Sequence, residues 1–149
     1  MNKRRLLKLA DLLEADAKNK KGVCFDLNVV AAKIVSKGEY RNHAVKDVPT
    51  VDCRTAACAV GLACISGAFK RQGLTYRINR DWGLDPKFGR RVGFDKVPTA
   101  FFEITEDQSD FLFMPESYEG ATTGATGERK VATRIRDFVA GRATVKDAE

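Results

Sequence analysis

The sequence predicts a mainly α, α+β fold: a compact single domain of about five helices around a buried central helix, with a small β-hairpin attached. Three observations predict it. Residues 55–68 carry no charge and are crowded with small side chains, so a helix there is apolar on every side and must be enclosed. Apolar residues recur at helical spacing near both ends of the chain, whereas strand-like alternation is confined to residues 74–78. A length of 149 residues suits one domain with its own core, and a composition of 44% hydrophobic and 31% charged residues separates it from disordered chains.

The elements follow in order. Leu6, Leu9, Ala10, Leu13 and Ala17 line one face of a helix over residues 3–17, with Lys18, Lys20 and Lys21 in its last turn and Gly22 ending it. Residues 23–25 read as a short extended piece. Asp26 or Asn28 then caps a second expected helix through Val30, Ala31, Ile34 and Val35, closed by Gly38. A polar connection holding Pro49 leads to Asp52, the expected cap of the central helix over residues 53–68. Gly61 inside that helix costs about 1 kcal/mol relative to Ala unless close backbone approach repays it.

Residues 74–78 alternate as a strand, residues 79–82 turn, and residues 90–94 supply the second strand of the hairpin. Pro98 to Ile104 forms a helical turn. Thr105 and Gln108 make a capping box for a helix carrying Phe111, Leu112 and Met114, which stops before Pro115. Residues 119–127 form a Gly/Thr/Ala loop without the pattern of a phosphate-binding P-loop. The final helix sets Val131, Ala132, Ile135, Phe138 and Val139 on one stripe, with Gly141 beyond it.

Charge and cysteine usage narrow the function classes. Lys8, Asp11 and Glu14 break the apolar stretch near the N-terminus, so no signal-peptide core forms, and no run approaches the ~20 apolar residues of a membrane span. The expected setting is the cytosol, with no membrane partner. Cys53 and Cys64, on one helix, lie about 16 Å apart along its axis. That exceeds the ~7 Å reach of a disulfide. No CxxC pair is present, so the cysteines read as reduced core residues, and neither a metal nor a cofactor is expected. The net charge of +6 favours a polyanionic partner, although its basic clusters are spread along the chain and acids gather between Glu103 and Glu119.

Three sites compete. Cys53 at a helix start is the candidate nucleophile of a cysteine hydrolase, with His43 as its base and Asp47 or Asp52 to orient it. The plainer alternative is a solvated histidine. At the same helix start, the N–H groups of Arg54, Thr55 and Ala56, with the Arg54 guanidinium and Thr55 hydroxyl, suit a phosphate or carboxylate. The alternative is that Thr55 caps its own helix. Third, Arg77, Arg80, Trp82, Arg90 and Arg91 interleave with Tyr76, Lys87 and Phe88 as nucleic-acid surfaces do, although the aromatics can instead close the core.

The order of motifs resembles a known group. Phe25-Asp26-Leu27, the segment from Cys53 to Ala63, Phe102-Glu103-Ile104-Thr105 with Gln108, and Ile135-Arg136-Asp137-Phe138 are similar to small proteins encoded mainly in bacteriophages and prophages. That group shares a CGTxxCxxGxA-type segment, and Arg54 stands here where its glycine is expected. The resemblance spans about residues 25–141. It implies a phage-type accessory protein and brings no catalytic residue with it. Joined to the incomplete catalytic set, it makes non-catalytic binding of a host protein or a small anionic ligand the leading expectation. Nucleic-acid binding and cysteine-dependent hydrolysis are the alternatives.

Overall fold

The computed structural model describes residues 1–36, 39–41, 55–78 and 84–145. Helix α1 (Lys3–Lys18) starts where the Asn2 side chain accepts the Arg5 N–H, and it buries Leu6, Leu9, Ala10 and Leu13. That is the face its sequence spacing dictates. It packs along α5 (Gly124–Val139), which turns Val131, Ala132, Ile135 and Phe138 inward. Between the helices' outer edges, Arg136 bonds Glu14 at 2.9 Å and Asp11 at 2.6 Å.

A mixed four-stranded sheet has the order β1-β4-β2-β3, from β1 (Cys24–Phe25), β2 (Ala31–Ser36), β3 (Glu39–Arg41) and β4 (Thr55–Ala57). Strands β1 and β4 run parallel, and β2 is antiparallel to both of its neighbours. Strand β2 replaces the second helix expected over these residues. Its run from Val29 to Val35 holds four β-branched side chains, stiff at χ1 and suited to a pleated surface, and both of its edges find partners. Asp26 closes a tight turn instead of capping a helix, its Oδ1 accepting from Asn28 N at 2.9 Å.

The central helix is also corrected. α2 spans only Ala59–Ile65, and Thr55, Ala56 and Ala57, read as its first turn, form β4. Small uncharged residues suit a strand enclosed on all sides as well as an enclosed helix, which is why composition alone misplaced the boundary. Cys58 is the N-cap, its sulfur accepting from Gly61 N at 3.4 Å. The central position itself stands. Residues 59–64 are all buried, and α2 packs against α1, β2 and β4. The expected Asp52 cap and the turn over residues 79–82 lie outside the described residues.

On the other side of α2 lies an antiparallel meander of β5 (Leu74–Ile78), β6 (Leu84–Phe88) and β7 (Arg91–Val92). The hairpin partner of β5 is therefore β6, and residues 90–94 supply only a short third strand. Pro86, in the middle of β6, disguised it, since proline within a run argues against a strand. Helices α3 (Val97–Phe102) and α4 (Glu106–Phe113) follow, the second opened by the expected box with both Thr105–Gln108 bonds formed. Phe69, Phe101 and Phe102 meet edge to face at 5.0–6.4 Å in the core. Arg5 lies over Phe101 at 4.3 Å and donates to its carbonyl at 2.7 Å, so part of the N-terminal basic cluster is structural. Among the described residues no helix is long and apolar enough to cross a membrane.

Candidate functional site

The structure brings together a set of residues that the three expected sites did not include. Helix α5 begins inside the stretch read as a loop. Gly127 lies so close to Thr122 that a Cβ would sit 2.5 Å from its carbonyl carbon. This approach folds the preceding segment over the helix. On the exposed side of α5, Thr126, Lys130, the adjacent Thr133 and Arg134, and Asp137 recur at three- to four-residue spacing and so share a face. Ser117, Tyr118 and Glu119 rise beside that face and Ala143 closes its end, leaving an open cleft of about 670 Å³, with Arg129 on its rim. That is the size of a small-molecule site.

The cations of this cleft are held in an unusual way. Arg134 donates through Nη1 to the carbonyls of Phe111 at 2.9 Å and Ser117 at 2.7 Å, and to Ser117 Oγ at 2.9 Å. Its guanidinium stacks on the Tyr118 ring at 3.6 Å. The Tyr118 hydroxyl donates to Leu112 O at 2.7 Å, and burial pushes its phenol above the ordinary range. Lys130 Nζ reaches the carbonyls of Glu119 and Ala121 at 3.0 and 3.1 Å. Among the described residues no carboxylate pairs with Arg129, Lys130 or Arg134. Carbonyls fix a cation's position without cancelling its charge. Asp137, the acid on the same face, is paired with Arg142 at 2.7 Å. Three positive charges thus face one shared space, with Thr126 and Thr133 hydroxyls among them.

The expected sites are dispersed. Cys53, His43 and Arg54 lie outside the described residues. Thr55 and Ala56 are fully buried in β4, Thr55 paired with Lys33 of β2 and Ala56 with both β1 and β2, and they do not stand at a helix start. Cys58 and Cys64 are buried, and desolvation pushes their thiols up to about 11 and about 12.

In the meander, Arg77 and Lys87 share the outer face, but Arg77 pairs with Asp85 at 3.4 Å. Arg90 and Arg91 are exposed at the turn into β7. Tyr76 and Phe88 pack against the core, so they present no stacking platform beside these cations. Arg80 and Trp82 lie outside the described residues.

Of the cleft residues, the basic cluster Arg129/Lys130/Arg134 is visible in the sequence, but Thr126 and Thr133 gain meaning only from the helical phase of α5, and Tyr118 only from the packing of its segment beside that helix. Compared with known proteins, the chain matches no family model, no curated protein and no solved structure.

Proposed function

We propose that this chain is a non-catalytic binding protein that holds a small anionic ligand, a phosphate or carboxylate compound, in the cleft along α5. The observation that carries this reading is the uncompensated charge of Arg129, Lys130 and Arg134, two of them fixed by backbone carbonyls in advance of any ligand. Preorganised donors lose little freedom on binding, and hydrogen bonds to a charged ligand are the strong ones. The resemblance to small phage-encoded proteins supplies the setting: an accessory protein acting in a host cytosol, where the bound anion belongs to a host metabolite or to a host protein.

Titration calorimetry with inorganic phosphate and with a nucleoside monophosphate tests the reading, run beside amide NMR of residues 117–143. Binding should shift those amides. Arg129→Ala and Lys130→Gln should each weaken binding by about tenfold, the equivalent of ~1.4 kcal/mol. Arg77→Ala should leave affinity unchanged. Absence of binding at millimolar anion, or a loss confined to Arg77→Ala, overturns the assignment.

A further inference from the structure

Helix α5 carries a second chemical feature, on its buried side. Glu128 is only 1% exposed, and its Oε1 meets no hydrogen-bond partner among the described residues. Its carboxyl lies against that of Asp16 on α1, which is 8% exposed. Asp16 is fixed from the other side: Oδ2 accepts the Val23 N–H at 3.1 Å, and Gly22 lies against the carboxylate where a Cβ would come within 2.7 Å. Two carboxyl groups in buried contact cannot both be ionised at tolerable cost, and one proton between them turns repulsion into a hydrogen bond.

We infer that Asp16 and Glu128 share a single proton across the α1–α5 interface, and that this proton locks the first turns of α5 onto α1. Among the described residues the surrounding charges are too few to replace it. Arg129, from the same helix, favours the ionised form, but it is exposed and solvent screens it. Lys18, Lys20 and Lys21 at the end of α1 and in the next turn are exposed. On β1 the titratable group is Cys24, also exposed, and Asp26 beyond it is engaged with Asn28.

Burial and the Asp16 charge raise Glu128 to about 9, and burial raises Asp16 as well. Sign follows from linkage: the folded state keeps a proton that the unfolded chain has lost. Stability is therefore greatest near the ordinary carboxyl range and falls as pH rises, by up to tenfold in the folding constant per pH unit, until the folded pair ionises. Because Glu128 adjoins Arg129 and Lys130, loosening that turn would also displace the cleft. The shared proton is a property of the fold and stands whether or not the cleft binds an anion.

Carboxyl-carbon NMR of the wild-type chain, labelled at Glu side chains, reads the proton directly. Glu128 should titrate near pH 9, and ordinary titration between pH 4 and 5 would overturn the inference. Urea unfolding of wild type and Glu128→Gln from pH 5 to 9 supplies the second arm. The amide keeps a donor towards Asp16 without the ionisation, so its stability should vary less with pH and exceed wild type at pH 8. Parallel curves for the two proteins would overturn the lock.

Discussion

Replacing Gly61 by Ala tests the packing at the centre of the molecule more sharply than any other single change. In a free helix the substitution gains about 1 kcal/mol from propensity. Here the new Cβ would stand 1.4 Å from the Val30 carbonyl oxygen and 2.5 Å from its carbon. Ordinary contact needs a separation larger by roughly 2 Å. Val30 cannot withdraw cheaply. Its neighbour Val29 accepts the Cys58 N–H at 2.7 Å, and Ala31 pairs with Ala57 in the sheet. Moving the segment weakens about two hydrogen bonds, each worth ~1 kcal/mol, and adds an overpacking cost of about 1–3 kcal/mol. Against the propensity gain, a net loss of about 2–4 kcal/mol remains. A chain of this size should then melt roughly 5–15 °C lower. Urea and thermal unfolding followed by circular dichroism measure both quantities. A neutral or stabilised Gly61→Ala protein would refute the reasoning, because it would mean α2 does not press on the start of β2.

Other changes probe the remaining contacts. In native protein, Cys24 should react with a thiol reagent within minutes, whereas Cys58 and Cys64, buried and with raised thiol pKa values, should react only on unfolding; mass spectrometry of the labelled peptides distinguishes them. Arg136→Ala should cost about 1 kcal/mol at pH 7, a modest figure because the pair with Glu14 is about one-third exposed. The Arg136 hydrogen bond holds the Glu14 carboxyl below its usual range, so this contribution should persist above that range and vanish as urea unfolding is repeated at falling pH. Thr105→Ala removes the side-chain half of the capping box and should lower stability by about 1 kcal/mol in the same assay.

The helices with amphipathic stripes were legible in the sequence, because α1, α4 and α5 each present one buried face and carry recognisable caps or stops. The interior was less legible for a physical reason. Once an element is enclosed on every side, it loses the alternation of polar and apolar residues that reveals its period. Thr55, Ala56 and Ala57 and the residues of α2 share one composition, yet the first three pair as a strand and the rest coil. The turn from strand to helix is set by Cys58 and by tertiary partners far along the chain. Strand β2 was obscured because Val30, Ala31, Ile34 and Val35 fit helical spacing while their β-branched neighbours favoured a strand. The site was legible as a charge cluster but not as a cleft, since nothing local to residues 126–137 says that Ser117 and Tyr118 stand beside them.

What separates the cations of the cleft from the other cations described in this molecule is the partner each has found. Arg136 meets Glu14 and Asp11, Arg142 meets Asp137, and Arg77 meets Asp85, so each of these charges is cancelled where it stands. Arg5 faces Glu103 at 4.0 Å and is held further by the Phe101 ring and carbonyl and the Gln72 side chain. Lys130 and Arg134 are held as firmly, but by neutral carbonyls, and Arg129 adds a third charge at the rim. A protein selected only for stability gains by placing acids beside such cations, and Glu119 is adjacent in the cleft wall without pairing with any of them. Positive potential kept in place at that cost is the physical ground for proposing an anionic ligand in the cleft, rather than reading its basic residues as one more solvated face.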